Sequence, residues 1–244
     1  MNRHWQLKET FAANCRCVTA LEGRIEWVIV NIRRADDVSG IDWSASDALI
    51  RSEGAALLAQ GSLRYYTTEL PEWNPSWGKN LGKFLARGSF LINLDIDNFI
   101  SIPDTMRLLK MNLAGTLYHG FSGQWGTGTS GMIGIPRAVF FATGGYKEDL
   151  VGYGYDDIDF LRRAQALSKY PVETFCTRRT IANDTAERSA NIRSVSTTLK
   201  EQNDANRIRS ERDRAAGKLC CENTVTRRCT ILDHTGARVA LNSA

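Results

Sequence analysis

The chain of 244 residues is 43% hydrophobic and 24% charged, a balance that supports a packed globule of one α/β domain with room for an appendage. Its net charge of +4 is too small to argue for nucleic acid as a partner of the whole molecule, and no run approaches the roughly 18–20 consecutive apolar residues of a membrane-spanning helix. With no apolar signal-peptide centre at the N-terminus and six cysteines that lack Cys-x-x-Cys spacing, the expectation is a cytoplasmic protein with reduced thiols and no zinc site.

Helical spacing of Leu7, Phe11, Cys15 and Val18 predicts a helix over residues 5–21, and EWVIVNI predicts a strand over 26–32. Ser44 is a good N-cap with Asp47 three residues on, so 44–59 reads as the next helix, stopped by Gly61. LRYYT is a strand, 79–87 a helix, and the apolar run 90–94 a strand that stops abruptly at Asp95 and Asp97. A short helix runs from Pro103 toward Leu113. After a glycine-rich loop, 132–135 is a strand, 137–143 a short helix, 156–167 a helix headed by three aspartates, and 172–176 a strand. Strand and helix alternate, which argues for a mainly parallel sheet with right-handed crossovers. Beyond Asn191 the chain is polar, basic and helix-prone, so 192–244 reads as a helical extension or poorly packed tail. Arg207, Arg209, Arg212 and Arg214 interleave there with Glu211 and Asp213, the pattern of a solvated helix face; peripheral contact with an anionic membrane is the second reading.

Two acidic clusters carry the chemistry. Asp95 and Asp97 stand at the carboxyl end of a buried strand, where ligands of open α/β sheets gather, and they offer oxygen ligands suited to Mg²⁺ or Mn²⁺ with a diphosphate completing the shell. Asp156, Asp157 and Asp159 open a helix behind Gly144, Gly145, Gly152 and Gly154, framed by Tyr146, Tyr153 and Tyr155. A helix dipole favours acids in a first turn, which accounts for the carboxylates but not for the aromatic-glycine frame. Asp159 reads as surface charge or cap, and His119 as a core or loop residue rather than a ligand.

Together the clusters resemble those of the GT-A glycosyltransferases, in particular the family 2 and β-1,4-galactosyltransferase types, over roughly residues 1–191. In those families a strand ending in Asp-x-Asp is followed by a Gly-rich loop, a Gly-[Phe/Tyr]-x-[Asp/Glu] turn and a Gly-[Trp/Tyr]-Gly-x-[Glu/Asp]-Asp motif. Here the loop is SGQWGTGTSGMIGIPRAVF, the turn Gly145-Tyr146-Lys147-Glu148, and the last motif Gly152-Tyr153-Gly154-Tyr155-Asp156-Asp157. Upstream, Lys79-Asn80 matches a nucleotide-proximal Lys/Arg-Asn pair. The resemblance departs at the start: the family's first strand, which precedes an Asn-Arg-type turn, has no counterpart before Asn2-Arg3. It departs again where Asn31 stands in place of an Asp near the base, with Asp36 or Asp37 as substitutes from the loop.

The resemblance implies a Rossmann-like GT-A domain that transfers a sugar, of hexosyltransferase type, from a nucleoside-diphosphate sugar to an acceptor hydroxyl with inversion, in polysaccharide or glycoconjugate synthesis. A UDP-sugar is the favoured donor and a glycan or glycolipid the acceptor. It places Asp157 as catalytic base and Asp156 on acceptor hydroxyls, with Tyr153 and Gly154 under the acceptor. Arg3, Lys79, Asn80, Asp95, Asp97, Trp125 and Gly131 fall on the donor side, Trp125 as the lid of a loop made mobile by Gly126, Gly128 and Gly131. Mn²⁺ or Mg²⁺ would sit on Asp97 with Asp95, and Asp184 takes the place of a third ligand that relatives supply as His. The missing strand and missing His motivate an alternative, a degenerate or truncated transferase domain acting as a binding module. Nucleotidyl transfer is a further alternative, lacking its basic phosphate loop here.

Overall fold

The computed structural model describes residues 3–34, 44–71, 74–121, 123, 128–150, 152–175, 179–181 and 198–242. The chain opens with α1 (His4–Ala20), β1 (Trp27–Arg34), α2 (Ser44–Glu53), α3 (Ala55–Gln60) and β2 (Leu63–Leu70). The helix expected over 44–59 is broken at Gly54, where the chain presses against its neighbours: a Cβ there would lie 2.6 Å from Leu63 Cδ2 and 3.1 Å from Phe11 Cζ. Next comes α4 (Pro75–Leu85), one turn longer at its start than expected. Asn74 caps it by accepting from Ser76 N at 2.8 Å, and Pro75 fills the first turn, where a missing N–H costs nothing.

β3 (Phe90–Ile92), α5 (Ile102–Lys110), β4 (Leu117–His119), β5 (Ile133–Pro136), α6 (Arg137–Thr143), α7 (Asp156–Ser168) and β6 (Val172–Thr174) follow. The described chain ends with α8 (Leu199–Ala215), β7 (Ile231–Asp233) and β8 (Arg238–Val239).

The architecture is mixed α/β, with two small sheets in place of the expected single, mainly parallel one. One runs β1-β2-β7-β8 and the other β3-β5-β4-β6. Among the described strands, only β1 with β2 and β4 with β6 pair in parallel; β2 with β7, β7 with β8, β3 with β5 and β4 with β5 are antiparallel. The supposed tail is part of the fold. β7 extends the first sheet beside β2, and its Ile231 is buried in one cluster with Tyr66, Trp77, Leu81 and Leu85. Its sparse apolar content concealed this, because a two-strand addition needs few buried side chains.

Two further clusters hold the layers. Phe84 of α4, Leu117, Ile133 and Ile135 of the second sheet, and Phe140 and Phe160 of α6 and α7 form one. Leu7, Phe11 and Val18 of α1 pack on Trp27, Ile50, Leu63 and Tyr65 to form the other. Cys15, Cys17, Cys220, Cys221 and Cys229 are free thiols. Among the described residues no helix is long and apolar enough to cross a membrane.

Candidate active site

A cavity of about 1840 Å³ runs along β1 and β3 and under the start of α7. α7 begins immediately after Tyr155, whose left-handed φ of 67° is rare for a residue with a side chain and turns the chain sharply into the helix. The three aspartates of its first turn therefore point in two directions. Asp159 turns inward, fully buried, to Arg163 Nε at 2.7 Å, which corrects its reading as surface charge. Asp156 and Asp157 turn to the cavity and share Lys79 Nζ, at 2.6 Å and 2.7 Å.

Lys79 and Lys83 lie one turn apart on α4 and are tuned oppositely. Burial disfavours the charge of Lys79, but Asp156, Asp157 and Asp95 outweigh it and raise its pKa. For Lys83 the balance reverses: burial, then the neighbouring Lys79 charge, lower its pKa to about 7 against the weaker pull of Asp157 and Asp95. Its ammonium nitrogen donates to Asn93 Oδ1 and lies 5.2 Å from the Tyr146 ring centroid, which itself stacks on Phe160 at 4.1 Å. Asn93 in turn donates to Tyr146 OH at 2.6 Å and to the Gly131 carbonyl at 3.2 Å. Gly131 is the point where the two acidic clusters meet, since a Cβ there would stand 3.0 Å from Asp95 Oδ2 and 3.2 Å from Asp157 Oδ2. Burial, followed by the like charge of Asp156, pushes the Asp157 carboxyl up to about 7 against the pull of Lys79. A carboxylate so placed is matched to take a proton near neutral pH.

Asp97 is buried at the same wall. Its Oδ2 lies 3.7 Å from Arg3 Nη1, its Oδ1 accepts from Asn98 Nδ2 at 3.1 Å, and its carbonyl accepts from Ile181 N at 2.8 Å. Arg3, Lys79, Asp95, Asp97, Gly131, Tyr153, Gly154, Asp156 and Asp157 all line the cavity. Asn80 does not. It is fully buried, donating to the Tyr146 carbonyl at 2.9 Å and accepting from Tyr146 N at 2.8 Å, so it braces the Gly145-Tyr146 turn. Trp125, Gly126, Asp184, Asp36 and Asp37 lie outside the described residues. His119 is buried, stacked 5.5 Å from Phe121 and bonded to the Ser130 carbonyl at 3.1 Å, and it also lines the cavity.

Three features of the site escaped the sequence reading. Asn31 donates to Asp47 Oδ1 at 3.1 Å and to Tyr65 OH at 3.0 Å, which brings an acid from α2 beside the position where one was sought in the loop. Lys83 is the second. The third is α8: Gln202 Oε1 accepts from Tyr153 N at 2.9 Å, and Asn206 Nδ2 donates to the Gly154 carbonyl at 2.9 Å. The loop can lie this close only because residue 154 is glycine; its φ is 88°, and a Cβ would meet Asn203 Oδ1 at 2.4 Å. Buried Gln202, Asn206, Ser210 and Asp213 recur at spacings of four and three, a polar helical stripe that could have marked the inward face. On the other face Arg207 pairs with Glu211 at 3.3 Å, while Arg209 pairs with Asp149, so part of the arginine pattern is spent on protein partners.

Among the described residues no group of three or more His, Cys, Asp or Glu side chains converges as a cage for a metal ion. Asp95 and Asp97 nonetheless present hard oxygen donors on one wall. One or two carboxylates with substrate phosphates is the usual way a protein holds Mg²⁺, so this donor set fits an ion that arrives with a diphosphate. Comparison with protein-family models, curated proteins and solved structures returns no match, which leaves the geometry of this cavity as the ground for a functional assignment.

Proposed function

We propose that the chain is a GT-A-type glycosyltransferase that moves a hexosyl group from a nucleoside-diphosphate sugar, by preference a UDP-sugar, to a hydroxyl of a glycan or glycolipid, with inversion. The observation that carries this reading is Asp157, a cavity carboxylate whose Oδ2, with that of the strand-end carboxylate Asp95, closes on the space a Cβ at Gly131 would fill, and whose pKa is raised to about 7. Asp157 takes the acceptor hydroxyl proton as that oxygen attacks the anomeric carbon and the bond to the diphosphate breaks. Lys79 offsets part of the repulsion between Asp156 and Asp157 and fixes their orientation. Tyr153 and Gly154, held by α8, form the acceptor side, while Arg3 offers a guanidinium toward the phosphates. A divalent ion held by Asp95 and Asp97 supplies charge neutralisation to the leaving diphosphate when bound.

The ion pairs that tie both carboxylates to Lys79 favour a second reading, a non-catalytic nucleotide-sugar binding module. Calorimetric titration with UDP, GDP, CMP and dTDP, with and without Mn²⁺, followed by turnover of the corresponding nucleotide sugars, separates the two. An enzyme transfers or hydrolyses the sugar in a Mn²⁺-dependent way, its rate rising with pH up to about 7 as Asp157 loses its proton and levelling above. Asp157→Asn then lowers the rate by about 10²–10⁴-fold, the usual worth of a general base. Binding without turnover supports the module. Full metal-dependent activity in Asp97→Ala would remove the metal assignment.

A further inference from the structure

α8 meets the loop of residues 152–154 with three polar side chains, and the protein itself engages two of them. Gln202 Oε1 accepts from Tyr153 N at 2.9 Å, and Asn206 Nδ2 donates to the Gly154 carbonyl at 2.9 Å. Asn203, between them in the same turn of helix, lies across Gly154, where a Cβ would stand 3.1 Å from Asn203 Cγ. Its carboxamide has no hydrogen-bond partner among the described residues, and it is half-buried in the wall of the cavity that holds Tyr153, Gly154, Asp156 and Asp157. The Tyr153 hydroxyl in that wall has no described partner either, whereas Tyr155 OH accepts from Arg162 Nη1 at 2.6 Å.

The position of α8 is fixed without Asn203. Thr198 and Glu201 form a capping box at its start, Arg209 Nη1 donates to the Asp149 carbonyl at 2.8 Å, and Lys147 pairs with Asp213 at 2.8 Å near its end. Asparagine is a weak helix former, and within the helix residue 203 caps nothing. What position 203 adds is a polar group held still at a cavity wall. Such a group forms bonds to a ligand with little further ordering, and a partly dehydrated amide gains most from a ligand that supplies the missing partners.

We propose that Asn203 is a specificity-determining residue of the acceptor subsite, recognising two adjacent hydroxyls of a neutral hexopyranoside. On the transferase reading, on which this assignment rests, Tyr153 and Gly154 form the acceptor side, and Asn203 is laid across that backbone. A carboxamide presents an acceptor oxygen and a donor amino group side by side. Neighbouring ring hydroxyls each donate and accept, so one gives its hydrogen to Oδ1 while the other takes one from Nδ2. A ring lacking either hydroxyl leaves half of the carboxamide unpaired, which turns the contact into selection. Asp156 and Asp157 on the same wall disfavour an anionic ring such as a uronate.

The test is a titration of the ¹⁵N-labelled 244-residue chain followed in ¹H–¹⁵N spectra, with the Asn203 side-chain amide assigned by triple resonance. UDP with Mg²⁺ is added first, then methyl β-glucopyranoside, methyl β-galactopyranoside or methyl α-mannopyranoside, and then the monodeoxy analogues of each. At least one glycoside is expected to shift the Asn203 amide saturably, and two analogues deoxygenated at adjacent carbons to bind about tenfold more weakly or worse. In Asn203→Ala the parent glycoside is expected to fall to the level of those two analogues, with the thermal midpoint of the protein unmoved. A loss shared equally by the parent and every analogue is what a structural role would give, and it overturns the proposal. So does a titration in which no glycoside moves the Asn203 amide; should Asn203→Ala fail to fold, that wild-type shift and the deoxy series decide. UDP binding without a glycoside response ends the Asn203 assignment and leaves the nucleotide reading standing. A glycoside response without UDP binding keeps the hydroxyl subsite and removes the transferase reading.

Discussion

Lys83 and Asp157 share a neighbourhood and are both driven toward neutrality of charge, one as a base and one as an acid. Asp157 releases its proton near 3.8 in its ordinary state and near 7 here, so between those values the native chain holds more protons than the unfolded one and stability falls as pH rises. Lys83 ordinarily holds its proton to 10.5 and here only to about 7, so above 7 the unfolded chain holds more and stability rises with pH. The two slopes together give a minimum near pH 7. Urea denaturation between pH 5 and pH 10 is expected to show it, with Asp157→Asn removing the fall on the acid side and Lys83→Met the rise on the alkaline side; a wild-type curve with no minimum would sink the pair. At this scale the carboxylates were legible, because an apolar strand that stops at Asp95 and Asp97 and a glycine-framed helix start both announce themselves. The role of Asn80 was not, since a sequence match says nothing of which way a helix turns its side chain.

α7 is held by a buried latch as well as by its apolar face. Arg163, fully buried, bonds Asp159 at 2.7 Å, the Gly145 carbonyl at 2.8 Å, the Thr143 carbonyl at 3.2 Å and the Leu219 carbonyl at 3.3 Å, so one guanidinium ties α7 to the glycine turn and to the segment after α8. Removing it strands a carboxylate without solvent or partner. Arg163→Met is expected to cost about 3–5 kcal/mol in guanidinium denaturation, and Asp159→Leu added to it to recover a good part, since an apolar pair replaces a buried ion pair at little cost. A loss under 1 kcal/mol for the single variant would refute the latch. The spacing of Asp159 and Arg163 was visible in the sequence as an i, i+4 pair, but the same spacing describes an exposed pair on any helix. Burial decides between them, and the buried guanidinium here reaches the Leu219 carbonyl and Cys221 Sγ, more than fifty positions away.

Over the whole molecule, the C-terminal fifth completes the fold and the site together. β7 pairs with β2, Ile231 joins the core, and Gln202 and Asn206 hold the Tyr153-Gly154 backbone at the cavity mouth. A chain ending at residue 197 is expected to lose its single cooperative thermal transition, because it exposes the Tyr66 and Leu81 cluster and the far edge of β2; unfolding of the truncated chain at the midpoint of the intact one would restore the view of a detachable tail. By itself the sequence determined the helices and strands whose periodicity is strong, the α/β class, and the two acidic clusters, since each follows from local spacing and from where an apolar run ends. Only the tertiary structure decided that the described strands divide into two mixed sheets, that Asp156 and Asp157 face the cavity while Asp159 faces the core, and that a polar C-terminal helix shapes the site. Those outcomes depend on which distant surfaces exclude water together, and sequence spacing carries no record of that.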